Sequence, residues 1–260
     1  MADWKDPRTA RTGFGTSPNL TGEVAGREIF DAGLRKHMLS IYNYMASGVL
    51  LTGIVSLLFA QSGLTESVLL SGGILSWIIM LAPLGFVLAM SFGQNKFSTA
   101  GLQGMFWGFA VAMGLSLSYI FIVYEIGSIT ATFFATAGAF AGLSLFGYTT
   151  KKNLSGMGTF LIMGVFGLII AMLLNSLVFE SQGFDLAISF LGVLIFAGLT
   201  AYDTQRLKRE YLAIQNAKVT NPAIAQAYPM GKLVVMGALS LYLDFINMFL
   251  FLLRFMGSRE

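Results

Sequence analysis

Seven apolar runs divide this chain, at residues 38–61, 68–90, 98–123, 129–149, 159–179, 186–204 and 233–253. Each approaches or exceeds the roughly 20 residues that a helix needs to cross the hydrocarbon of a bilayer. Backbone in lipid must satisfy its own polar groups, so runs of this kind fold as helices. The links between the first six are short, which makes successive helices antiparallel neighbours. Only 205–231 is long, polar and charged, and it reads as a cytoplasmic loop. Charged residues are 11% of the 260, against roughly 25% in soluble domains. The expected fold is therefore all-α, with seven transmembrane helices.

Lys and Arg give the orientation. Lys5, Arg8, Arg11, Arg27, Arg35 and Lys36 precede the first run, and Lys96, Lys151, Lys152, Arg206, Lys208, Arg209 and Lys218 fall in the even-numbered links. The odd-numbered links hold Glu66, Glu125, Glu180 and Asp185. Cytoplasmic loops carry the excess of Lys and Arg, so the N-terminus is expected inside and the C-terminus outside; Arg254 and Arg259 are the exceptions. Residues 1–26, rich in Gly, Pro, Ser and Thr, read as a mobile tail ahead of a membrane domain spanning 27–256. In 27–36 (REIFDAGLRK) Ile29, Phe30 and Leu34 share one side, the pattern of a short helix lying in the headgroup plane. No signal peptide is expected, because the first apolar run starts only after 36 residues and is too long for a signal's core. Gly104, Gly108, Gly138 and Gly142, with Ala131, Ala135 and Ala139, recur at the spacing that lets membrane helices approach closely.

Several function classes drop out. The basic residues are scattered between apolar runs rather than gathered with aromatics on one face, so no nucleic acid is expected as a partner. Cysteine is absent, which excludes disulfides and thiolate chemistry, and the single His37 builds no histidine metal cluster and reads as an interfacial residue. A cysteine-free chain of this kind fits a bacterial inner (cytoplasmic) membrane.

Charge inside the runs is confined to the end of the chain. Only Asp203, near the inner end of the sixth run, and Asp244, near the middle of the seventh, stand outside a link. An ionisable group at membrane depth costs at least ~2.5–3.5 kcal/mol on insertion scales, so its default reading is a functional site with a partner. Asp244 must be protonated, hydrated, metal-bound or sharing a proton with another acid, and the other acid is Asp203. Two carboxyls a few ångströms apart titrate as a unit and form a proton-sensing element. Ser240 and Asn247 fall at i−4 and i+3 from Asp244, and Thr200 and Arg206 flank Asp203 on its own helix, so all four are supporting polar residues. Depth is the open point. With the sixth helix ending near Thr204, Asp203 sits at the headgroups beside Arg206 or Lys208, while Asp244 lies ~18 Å along its helix from Lys232.

These residues also carry a resemblance. FDAGLRKHM before the first run, SGMG between the fourth and fifth, AYDTQ closing the sixth and SLYLDFINMFLFLLR in the seventh resemble the Bax inhibitor-1 (TMBIM, YccA-like) family, over about 29–256. The resemblance implies seven helices with the seventh central. It also implies a pH-sensitive calcium leak channel in which aspartates matching Asp203 and Asp244 share a proton and control the path. Some relatives latch the pair with a second-helix arginine; this sequence has no Arg between Lys36 and Tyr124.

On that basis the expected function is ion transport: calcium leak gated by Asp203 and Asp244, with calcium and protons as partners beside the lipid bilayer. Two carboxylates form only a weak, transient calcium site, as conduction requires, and no tightly bound cofactor is expected. The alternative, also implied by the resemblance, is a non-conducting regulator of a membrane-bound AAA protease or of cell-death signalling, with 1–26 and 205–231 as the partner surface. An enzyme is not expected. Tyr202-Asp203 matches the first motif of intramembrane aspartyl proteases, but Leu241, Tyr242 and Leu243 precede Asp244 where the second motif needs glycines. The seventh run has no interior lysine for a retinal Schiff base.

Overall fold

The computed structural model describes residues 18–220 and 229–258; the expected tail over 1–17 and the loop segment 221–228 lie outside the described residues. Seven of the described helices are long and apolar enough to cross a membrane. They are α1 (Pro18–Gln61), α2 (Ile74–Gly93), α3 (Thr99–Leu117, continued by the short helix Ile120–Val123), α4 (Ile126–Thr149), α5 (Ser155–Leu174), α6 (Gln182–Thr220) and α7 (Met230–Met256). No strand occurs among the described residues. Large apolar side chains such as Ile74, Phe92 and Phe166 point outward, as the surface of a protein solvated by lipid requires.

The helix α7 is central. Of its most apolar stretch, 61% is buried inside the protein, against 11% for Ser155–Phe179, which runs along the periphery. It packs on α6, α1, α4 and α3, while α2 leans on α3 and α5 on α6. Tyr242, Leu241, Met248 and Leu253 are almost completely enclosed, and Phe106 and Phe109 meet the Tyr242 ring edge-on.

Two expected boundaries move. The segment 27–36 is not a separate interfacial helix: α1 runs unbroken through it, since neither proline nor a glycine in a left-handed turn interrupts it. Residues 18–26, expected as tail, are the start of the same helix. Likewise 205–220 is helix, not loop. Its charges hide a buried stripe at Leu207, Tyr211 and Ile214, which carries α6 ~24 Å past Thr204. The two extensions pack together: His37, buried inside the bundle, stacks on Tyr211 with centroids 4.8 Å apart.

Of the glycines expected at helix contacts only Gly108 meets a neighbour, the Phe86 ring of α2, 3.1 Å from where its Cβ would stand. A Cβ at Gly104, Gly138 or Gly142 would meet nothing within 4 Å, and Ala131, Ala135 and Ala139 are exposed to the membrane. The tight crossing of α4 over α6 is at Gly147, where a Cβ would stand 2.2 Å from the Ala201 carbonyl oxygen. Gly147→Ala should therefore force two backbones apart and lose about 1–3 kcal/mol, while Gly142→Ala stays within about 0.5 kcal/mol. Thermal unfolding of both variants in detergent, read by loss of the monodisperse species, measures the difference.

Candidate functional site

The motif AYDTQ is a packing unit in which Ala201, Tyr202, Asp203 and Gln205 each make a distinct contact. Ala201 lies under Gly147, and the Tyr202 ring fills the space where a Cβ on Gly158 would be, so AYDTQ and SGMG are two halves of one contact. Gln205, which sequence reasoning did not single out, clasps the link between α4 and α5: its Oε1 accepts from the Leu154 N–H at 2.9 Å and its Nε2 donates to the Lys152 carbonyl at 2.7 Å. Lys208 Nζ donates to the Tyr148 carbonyl at 2.7 Å and lies over that ring. These contacts fix α6 against α4 and α5.

On its other side α6 presents Asp203 to α7. Because α6 continues to Thr220, Asp203 is well inside the helix, about 26 Å from its end, and it lies within electrostatic reach of Asp244. Both aspartates are buried, 6% and 5% exposed. The Ser240 hydroxyl donates to Asp203 Oδ2, and Arg206 Nη2 lies 3.3 Å from the same oxygen while donating to Ser240 Oγ at 3.0 Å. Asp203, Arg206 and Ser240 are thus one closed cluster across the α6–α7 interface. The guanidinium reaches outward, its side chain 43% exposed against 9% for Asp203.

Asp244 sits one turn further along α7 than Ser240, ~6 Å along the axis, with Asp203 and Arg206 both within electrostatic reach. Its Oδ2 is buried and receives no hydrogen bond among the described residues. The remaining expected supports turn to their own helices: the Thr200 hydroxyl donates to the Phe196 carbonyl at 2.8 Å and Asn247 Nδ2 to the Leu243 carbonyl at 2.8 Å. Among the described residues no group of three or more His, Asp or Glu side chains converges. Tyr242, one turn before Ile246, is anchored instead to α1 and α3: its hydroxyl is 2.6 Å from Thr52 Oγ1, which donates to the Ala110 carbonyl at 2.8 Å.

Basic side chains gather at one end of the bundle, where Arg209 holds Asn153 and Ser155, and Lys232 reaches the Gln94 carbonyl. The Arg254–Asp185 ion pair, at 3.3 Å, lies at the other.

Six apolar helices around a nearly enclosed seventh, with a buried acidic cluster on it, define a multi-pass integral membrane protein. The chain belongs to the Bax inhibitor-1 family, whose model, described as inhibitor of apoptosis-promoting Bax1, matches residues 34–260. It is 40% identical to the inner membrane protein YbhL of Escherichia coli over 229 residues, 88% of this chain and 94% of YbhL. A protein of Rickettsia prowazekii is 42% identical over 233 residues, 89% of this chain and 93% of its own, and YrjE of Lactococcus lactis is 40% identical over 235, covering 88% and 94%.

Gln205→Leu leaves the Leu154 N–H and the Lys152 carbonyl without their buried partner. Its expected cost is about 1–3 kcal/mol, with faster cleavage near Lys151 and Lys152 by trypsin in membranes; equal cleavage of wild type and variant would show that the clasp does not hold the link.

Proposed function

We propose that the protein is a pH-dependent cation leak pathway of the bacterial inner membrane, with calcium as permeant ion, controlled by Asp203 and Asp244. The observation that carries this reading is a charge imbalance: two buried carboxyls face one guanidinium. Arg206 is hydrogen-bonded into the Asp203 side of the cluster, so the second carboxyl is balanced only by a proton or by a passing cation. A divalent ion with two carboxylates and one hydroxyl is held weakly, which suits passage rather than storage. When the proton is bound the cluster is neutral and offers no attraction to a cation; when it is lost, one negative charge stands at membrane depth.

The role is non-enzymatic. Tyr242 is packed into the core beside Thr52, which keeps the α7 backbone ahead of Asp244 covered. The basic end faces the cytoplasm, following the excess of Lys and Arg there. The half-exposed Arg206 connects the cluster to that side, so cytoplasmic pH is the variable sensed. The name of YbhL as an inner membrane protein supports the compartment.

Calcium entry into dye-loaded liposomes containing the purified protein should change with the pH of the side that Arg206 faces. Asp244→Asn should abolish that dependence by making the cluster neutral without a proton. Arg206→Gln, leaving two carboxyls and no cation, should move the midpoint of the response to higher pH. An unaltered pH response in Asp203→Asn and Asp244→Asn together would remove the sensor, and no flux in wild type at any pH would remove the pathway.

A further inference from the structure

A second site lies on the membrane-facing side of the bundle, away from the acidic cluster. The helices α1 and α4 splay apart and leave a cleft of about 730 Å³ between them, floored by Phe140 and Phe245. Met38, Tyr42 and Met45 form one wall and Ala137, Ala141 and Ser144 the other. Leu39, Leu50 and Leu145 on its lips are 49%, 65% and 64% exposed, so the cleft opens sideways into the hydrocarbon. From Arg35 to Leu50 it extends ~22 Å along α1, longer than the ~15 Å of one leaflet's hydrocarbon. A space of this shape does not stay empty in a bilayer, where acyl chains are the surrounding solvent.

Two features go beyond passive filling. The first is charge at the mouth. Arg35, an exposed residue, lines it from α1. The second is Ser144. On the same helix Thr130, Thr136 and Thr149 return their hydroxyl hydrogens to the carbonyl four residues back, at 2.7–2.8 Å, the usual outcome for a hydroxyl in a helix. The Ser144 hydroxyl does not: it is 5% exposed, lines the cleft, and has no partner among the described residues. A buried polar atom of this kind marks a missing partner. It sits one turn, ~6 Å, below Tyr148 at the mouth, about the depth of an ester carbonyl beneath a phosphate.

We propose that this cleft is a binding site for one anionic phospholipid, its headgroup phosphate held by Arg35, an ester oxygen accepting from Ser144, and an acyl chain laid along α1 and α4 over Phe245. The assignment is independent of the calcium reading. The Arg35 cation at the mouth selects negative headgroups over zwitterionic ones, and the enclosed apolar length selects a chain-bearing ligand over free phosphate.

Native mass spectrometry of the full chain in detergent, titrated with phosphatidylglycerol and in parallel with phosphatidylcholine, tests it. The first phosphatidylglycerol should bind about tenfold more tightly than the first phosphatidylcholine. Arg35→Ala should bring that ratio close to one, and Ser144→Ala should weaken the first adduct of both lipids. Ala141→Trp, which fills the cleft, should lose the tight adduct, whereas Ala131→Trp, exposed on the same helix outside it, should keep it. If Ala141→Trp does not fold, Arg35→Ala decides alone, since Arg35 is exposed and carries no core packing. Equal affinity of the two lipids for wild type, displacement of the adduct by millimolar inorganic phosphate, or a protein dimer that excludes lipid from the cleft would overturn the proposal.

Discussion

Arg206 supplies one positive charge to a buried interface that contains two carboxyls, and the contact between α6 and α7 is arranged around that inequality. Taking a carboxylate out of water costs several kcal/mol, recovered only where a counter-charge and hydrogen bonds replace the solvent. Asp203 has both, from Arg206 and Ser240. Asp244 has neither directly, and Asp203 adds repulsion to its desolvation. On the proposed reading such a cluster carries one proton, and loss of that proton would act on the fit of α7 against α6. Arg206 also divides the interface by access. Its half-exposed guanidinium links Asp203 to the basic end, while Asp244 is sealed behind it.

On the proposed reading one helix stays fixed while the other responds, and α6 and α7 are held by different kinds of contact. The helix α6 is clamped by backbone-level contacts: Ala201 against Gly147, Tyr202 against Gly158, and Gln205 on both Leu154 and Lys152. The helix α7 is held chiefly by side-chain packing, with the Tyr242–Thr52 hydrogen bond as its polar anchor to α1. Packed side chains shift in small discrete steps, which is how a local charge change becomes a helix movement.

How much of this the sequence revealed follows from which forces act locally. Seven spans were legible because lipid demands long unbroken apolar runs, and Asp203 and Asp244 stood out because charge at that depth is rare. The ends of α1 and α6 were not. Over 205–220 the charged residues dominate the composition, and the buried stripe of Leu207, Tyr211 and Ile214 is meaningful only once α1 is seen beside it. Small residues misled in a similar way: Gly138 and Gly142 have contact spacing but face open space, whereas Gly147 has the crossing. Spacing gives a face, and only the neighbouring helix decides whether that face is used. Thr200 and Asn247 share a side with the aspartates, yet a hydroxyl or amide in a helix has its own carbonyl four residues back as a competing partner, and there they bond. Gln205 stood in the AYDTQ motif with no sign of its task and Ser144 carried no signal, since their roles depend on a linker and a cleft formed by residues far away in the chain.

The two sites meet in α7. Asp244 and Phe245 are consecutive, so their side chains point about 100° apart around the helix, one toward α6 and the other toward the cleft between α1 and α4. Phe245 touches Phe133 and Phe140 edge-on, at 5.6 Å in both cases, and these rings form the inner wall against which an acyl chain would lie. A rotation of α7 that relieves the unpaired Asp244 carboxyl moves Phe245 by the same angle and reshapes that wall. Coupling of this kind is reciprocal: if proton loss alters the cleft, a lipid filling the cleft alters the ease of proton loss by the same free energy. If both proposals hold, the acidic cluster and the lipid-facing groove share one helix, and a ligand that prefers one position of α7 would report on the other.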